Sequence, residues 1–130
     1  MNAWTAEQLA TIAAAAEFDI APLRSDGTPR PYTTIWVVRI GDELFIRSFR
    51  GPNGAWYRTT QRSHRGRIRA GSVEGDVAFE NVHDNTDAVD AAYRAKYGRS
   101  SYVDAMVTPD AAATTLRLIP ADTKGERSDD

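Results

Sequence analysis

The sequence contains no cysteine, which excludes disulfides, thiolate nucleophiles and sulfur-ligated metals in one step. Only two histidines are present, His64 and His83, and no metal centre is expected from them. No apolar run extends far beyond Ala13 to Ala16, well short of the roughly 20 residues that cross a bilayer as a helix. The opening Met-Asn-Ala-Trp-Thr-Ala-Glu has no basic patch, apolar run or small-residue cleavage site, so the expectation is a cytoplasmic protein that does not enter a membrane. The most informative absence is local. Between Leu44 and Val73 there is no Asp or Glu, although Arg47, Arg50, Arg58, Arg62, Arg65, Arg67 and Arg69 all fall there.

What is present fits one ordinary domain: 130 residues, 42% hydrophobic and 26% charged, enough for a single core. Residues 1–122 read as that domain. Residues 123–130, charged and followed by nothing apolar, are expected to be a disordered tail. Thr5-Ala-Glu-Gln8 forms a capping box ahead of Leu9, Ile12 and Ala16, which predicts a helix from about Ala6 to Glu17. Ser25-Asp26-Gly27 marks a turn between an extended Phe18–Arg24 and the run Tyr32–Ile40. That run is rich in β-branched and aromatic residues and apolar on both faces, the pattern of a central strand. Gly41-Asp42 leads into a third strand, Glu43–Phe49, with Leu44 and Ile46 on one face and Phe45 and Arg47 on the other.

Gly51-Pro52-Asn53-Gly54 cannot continue a strand, and a short helix from Ala55 to about Gln61 follows. Strands are predicted at Gly66–Ala70 and Ser72–Val82. An amphipathic helix is predicted at Asp87–Tyr97 with Gly98 as its cap, then a short helical turn at Ser101–Val107. Thr114–Ile119 alternates and stops at Pro120, as a closing strand. Six strands with tight hairpins and no repeated strand-helix units argue for an antiparallel α+β barrel with flanking helices.

Arginine presents a planar fork of donors to phosphate oxygens, and the amides at a helix start add dipole-favoured donors. Arg47 and Ser48 on a strand, Gly51 and Gly54 in the turn, and Trp56, Tyr57 and Arg58 on the helix therefore make a candidate cradle for a phosphate-bearing ligand. The Walker and Rossmann glycine patterns are absent. Arg62, Arg65, Arg67 and Arg69 have a second explanation, as a solvated face pairing with Glu74, Asp76 and Glu80 on the next strand. Nucleic acid is a rival ligand for arginines interleaved with aromatics, but a pI near 5.7 argues against a partner bound by phosphate neutralisation. No residue pattern supports a nucleophilic triad. Chemistry, where there is any, belongs to a cofactor.

The combination Arg24-Ser-Asp-Gly27, Thr34-Ile-Trp-Val-Val-Arg39, Leu44-Phe-Ile-Arg-Ser48, Gly54-Ala-Trp-Tyr-Arg58, Gly66-Arg-Ile-Arg-Ala-Gly71, Ala92-Tyr-Arg-Ala-Lys-Tyr-Gly98 and Thr115-Leu-Arg-Leu-Ile-Pro120 resembles the domain of unknown function 2255 family. That family looks like a branch of the flavin-binding split barrels, related to pyridoxamine phosphate oxidases and deazaflavin-dependent nitroreductases. The resemblance implies a small six-stranded split β-barrel and a homodimer with the flavin between subunits. It also implies FMN or the deazaflavin coenzyme F-420 as cofactor, with redox chemistry on a small organic substrate. Gly54, Trp56 and Tyr57 match the glycine-rich turn and Trp-Tyr motif of the deazaflavin group, whereas Thr59 stands where that motif carries Asn. By the same likeness, Arg47, Ser48 and Arg58 are expected at the phosphate, and the strand containing Thr33, Thr34 and Trp36 beside the ring. Two alternatives stay open: a non-redox ligand-binding module, and a cofactor-independent enzyme using Tyr32, Tyr57, His64 or His83 as acid or base. Specificity is expected in loops such as Arg99–Thr108.

Overall fold

The computed structural model describes residues 3–121; the charged segment 123–130, expected to be a disordered tail, lies outside the described residues. The chain opens on helix α1 (Ala6–Ala14). Its capping box is formed as the sequence implies: Gln8 N donates to Thr5 Oγ1 at 3.0 Å and Thr5 N donates to Gln8 Oε1 at 2.9 Å. The helix stops short of Glu17 because Ala15 is already extended, feeding Phe18 into the sheet opposite Ile35.

Seven strands follow, not six: β1 (Phe18–Pro22), β2 (Thr33–Ile35), β3 (Val37–Ile40), β4 (Glu43–Ile46), β5 (Arg65–Ala70), β6 (Val73–Asn81) and β7 (Leu116–Pro120). The extra strand arises where Tyr32–Ile40 breaks at Trp36, β2 pairing back onto β1 and β3 forward onto β4. All pairings are antiparallel, in the order β2-β1-β5-β6-β7-β4-β3. The two end strands are thus consecutive in the chain, with Trp36 alone between them, and the sheet curls into a nearly closed barrel. The expectation of a central strand at Tyr32–Ile40 is corrected: β2 and β3 are the two edges.

Their two-sided apolarity has another cause. Val37, Leu44 and Ile46 point into the barrel with Leu9, Phe18, Ile20, Ile68, Phe79 and Leu118. Val38 and Phe45, one residue out of phase, face a second cluster with Val82, Val89, Tyr93 and Met106, because helix α3 (Thr86–Tyr97) covers the outer surface there. Helix α2 (Ala55–Ser63), preceded by a single 3₁₀ turn at Gly51–Asn53, separates β4 from β5. Two short helices, α4 (Ser101–Met106) and α5 (Pro109–Ala112), lie between α3 and β7. Helix α5 is additional to the predicted elements; Thr108 caps it and Pro109 occupies its first turn, a favourable helix start. Among the described residues no helix is long and apolar enough to cross a membrane.

The free side of edge strand β3 is closed by side chains from α3. Tyr97 Oη donates to Val37 O at 3.1 Å, Lys96 Nζ donates to the same oxygen at 2.8 Å, and Val37 N lies 3.2 Å from Tyr97 Oη. Burial pushes the Tyr97 phenol up to about 12 and the Lys96 ammonium down to about 8. The ring of Tyr97 lies parallel to that of Trp36, with centroids 4.1 Å apart. The residue that joins the two sheet edges is therefore held by stacking.

Candidate functional site

One end of the barrel carries a cavity of about 310 Å³, bounded by Thr34, Ile35 and Trp36 at the β2–β3 corner, Arg47 and Phe49 after β4, Trp56 on α2, and Tyr102 and Met106 on α4. Its walls are mainly aromatic and aliphatic. Phe49 and Tyr102 form an open rim, 54% and 65% exposed, with ring centroids 6.4 Å apart. Large apolar side chains so exposed and so close together are uncommon away from a binding surface.

Arg47 lies beneath this cavity with no exposed surface. Its guanidinium donates to Asp90 Oδ1 at 2.5 Å, Met106 O at 3.0 Å, Thr86 O at 3.3 Å and, through Nε, Thr115 Oγ1 at 2.9 Å. Tyr93 adds a ring face 5.8 Å from Cζ. A charge can remain in the interior only when paired and hydrogen-bonded in this way. Arg47, the residue after β4, thus ties that end of the strand to α3, α4 and the segment before β7. Its charge is balanced within the protein by Asp90.

Ser48 is placed differently. Its backbone N donates to Thr114 Oγ1 at 2.8 Å, but its own Oγ is buried without a hydrogen-bond partner among the described residues. That oxygen faces Gly54, where a Cβ would stand 2.3 Å from it. Gly54 is the N-cap of α2 and brings no side-chain cap, so no capping side chain takes up the first-turn amides, which an α-helix leaves without intrahelical partners. An orphaned hydroxyl beside an uncapped helix start is a donor set suited to an oxyanion. Gly54→Ala is expected to lower stability by about 1–3 kcal/mol through overpacking, measured by urea denaturation. In the double variant S48A/G54A most of that loss should disappear, because the Ser48 Cβ would lie at an ordinary 3.6 Å; equal losses in the two variants would show that the contact is not the cause.

The remaining candidates scatter around this centre. Thr34, Trp36, Arg47 and Trp56 share the cavity wall. Thr34 also donates to Asp19 Oδ1 at 2.7 Å, while Thr33 pairs with Ile20 and does not line the cavity. Tyr57 is half-buried edge-on to Trp56, with centroids 6.3 Å apart; burial raises its phenol above the usual range. Arg58 is exposed on α2. Thr59 is buried and donates to Ala55 O at 3.2 Å, so its hydroxyl is turned to the helix's own backbone.

The other arginines divide. Arg67 pairs with Asp76 at 2.8 Å, as the cross-strand register requires. Arg69 reaches Asp19 at 3.0 Å and lies over Tyr32 at 4.0 Å, while Glu80 is held by Arg117. His64 adopts φ 56° as the C-cap of α2, with Nδ1 3.3 Å from Phe79 O, a helix-ending role. His83 is exposed. Ile35 lies within the Thr33–Trp36 strand expected beside the ring, whereas Phe49, Tyr102 and Met106 are not among the residues predicted for the site. The signal for two of them was the loop Arg99–Thr108, which the fold brings to the cavity as α4.

A family model described as an uncharacterized protein conserved in bacteria, the domain of unknown function 2255, matches residues 8–118. No curated protein matches the sequence. Among solved structures, the heme storage protein HutZ from Vibrio cholerae superposes with a TM-score of 0.68 at 14% identity, over 89% of each chain. A FAD-binding protein from Mesorhizobium loti gives 0.58 at 15% identity, over 92% of this chain and 91% of that one. An F420 reductase gives 0.52 at 16% identity, over 85% and 89% respectively. At such identities the likeness is one of fold, and the fold is the split barrel.

Proposed function

We propose that this chain, which belongs to the domain of unknown function 2255 family, is a flavin-type split-barrel protein that holds FMN or the deazaflavin coenzyme F-420 and serves redox chemistry on a small organic substrate. The observation that carries the reading is an apolar cavity next to a buried polar group. An apolar cavity of about 310 Å³ takes a planar ring, and beside it the unpartnered Ser48 Oγ meets the uncapped start of α2, where a phosphate belongs. The volume is at the small end of the roughly 300–1,000 Å³ usual for ligand sites. A second copy of the chain, covering Phe49 and Tyr102, completes the enclosure in this reading.

When bound, such a cofactor supplies hydride transfer. The chain supplies the rest. Trp36, fixed by its stack on Tyr97, and Trp56 wall the ring; Ile35 and Met106 keep water from it; Ser48 and the α2 amides orient the phosphate. Among the lining residues only Tyr102 offers an ionisable proton besides the paired Arg47, so the walls contribute orientation and exclusion of water, with acid-base catalysis restricted to that phenol.

Titration of the purified protein with FMN and with F-420 tests the reading through cofactor fluorescence. Quenching at micromolar concentration is expected for one of them. Ser48→Ala should weaken binding by about tenfold, the worth of one hydrogen bond to a charged group. Failure of both cofactors to bind at high micromolar concentration would overturn the proposal. The absence of a carboxylate, imidazole or amine from the cavity wall favours, as second reading, a non-redox binding module. A colourless preparation retaining an anionic metabolite would select it.

A further inference from the structure

Trp36 walls the ring cavity, yet the sheet does not hold it. It belongs to neither β2 nor β3, and the ladders that stop at Ile35 and resume at Val37 leave it without a cross-strand partner. Its place comes from α3. Asp90, Tyr93 and Tyr97 recur at intervals of three and four residues, which puts them on one stripe of the helix. Asp90 takes the Arg47 guanidinium. The Tyr93 ring lies 5.8 Å from Arg47 Cζ and its Oη 3.5 Å from Trp36 O. Tyr97 lies flat on the indole, with an interplanar angle of 6°, and its ring centroid is 6.2 Å from that of Tyr93. One helix therefore braces two walls of the cavity from behind, and neither tyrosine lines it.

Tyr97 acts on the corner twice. Its Oη accepts from Val37 N and donates to Val37 O, the double exchange that an antiparallel neighbour would make with that residue and that an edge strand otherwise lacks. Lys96 Nζ donates to the same carbonyl but takes no part in the stack. The hydroxyl thus fixes the backbone at Val37, and the ring fixes the side chain of the residue before it. We propose that Tyr97 is a positioning residue of the ring cavity: by stacking on Trp36 it sets the indole at the depth and tilt that admit a planar ligand, without touching that ligand itself. That the ligand is a flavin-type ring rests on the functional reading above; that Tyr97 sets the wall does not.

A binding cycle on the full chain tests this with two probes: FMN, read by quenching of its fluorescence, and anilinonaphthalene sulfonate, read by enhancement. Y97L should weaken both by about threefold to tenfold, the worth of an aromatic pair. Y97F keeps the ring and K96M keeps the stack, so each should stay within about twofold of the native chain. Because Tyr97 acts through Trp36, W36L/Y97L should bind no more weakly than W36L, the non-additivity of residues in contact. Each variant is first shown to unfold cooperatively in urea, and Y97M replaces Y97L where the latter does not. Native affinity in Y97L, losses in Y97F or K96M equal to that in Y97L, or a Y97L loss that persists on the W36L background would each overturn the positioning role. So would a native chain that binds neither probe. Coupling seen with anilinonaphthalene sulfonate while FMN fails to bind supports the positioning role and counts against FMN alone, so the two proposals fail separately.

Discussion

Replacing Arg47 with methionine is expected to remove about 3–5 kcal/mol of unfolding free energy, the usual result of breaking a buried ion pair by deleting one partner. The methionine fills comparable space but leaves Asp90, Thr115 Oγ1 and the carbonyls of Met106 and Thr86 without their donor. Asp90→Asn should lose stability on the same scale, because it leaves a guanidinium with no exposed surface without a counter-charge. The informative measurement is the cycle by urea denaturation: R47M/D90N should cost little more than either single change, a coupling that arises only between groups in direct contact. Additive losses would mean that the pair does not act as a unit. Because typical domains hold only about 5–15 kcal/mol in all, the single variants should also unfold at markedly lower temperature.

The second large effect is expected at Gly66. It sits in β5 between Pro22 on β1 and Val77 on β6. A Cβ there would lie 2.8 Å from the Phe79 ring, 2.9 Å from Ala21 O and 2.9 Å from Pro22 Cα. Two of those neighbours are backbone in the middle of the sheet and cannot move aside singly, so Gly66→Ala should cost about 3 kcal/mol, the upper part of the overpacking range. Phe79→Leu in the same chain should not restore it. Gly75 gives the control on the paired strand, opposite Ile68: no atom lies within 4 Å of a Cβ added there, and Gly75→Ala should be neutral or stabilising by up to about 1 kcal/mol through the unfolded state. Thermal and chemical denaturation of the two variants side by side decides the matter; equal losses would exclude steric crowding as the cause.

Features fixed by neighbours in sequence were legible. The capping box of α1, the alternation of Leu44, Phe45, Ile46 and Arg47, and the extent of α3 all follow from patterns within a few residues. The break at Trp36 was not, because a change of pairing partner leaves no mark on a run of β-branched residues. The same limit applies to the site. Sequence brought Arg47, Ser48, Gly54 and Trp56 into one segment, and the fold keeps them together. The strand predicted over Glu43–Phe49 ends at Ile46, so Arg47 and Ser48 follow it, and sequence could not show that Asp90 faces Arg47, since that contact joins the segment after β4 to α3 across 43 residues. The arginine-rich, acid-free segment that first suggested an anion site therefore resolves into parts. Arg47 is internally balanced, Arg67 and Arg69 are paired, and Ser48 with the start of α2 keeps the donors that a phosphate would need.

The strand order also governs how the chain can be assembled as it is made. Strand β7 lies between β6 and β4, pairing Phe79 with Leu118 on one side and Leu44 with Leu118 on the other. Until residue 120 has emerged from the ribosome, the β1-β2-β5-β6 group and the β3-β4 hairpin are linked in the sheet only through Trp36, and β4 and β6 each present an unpaired edge to other nascent chains. The same late arrival brings Thr114 and Thr115 to Ser48 and Arg47. Closure of the barrel and completion of the hydrogen bonds that hold Arg47 and Ser48 thus become a single event.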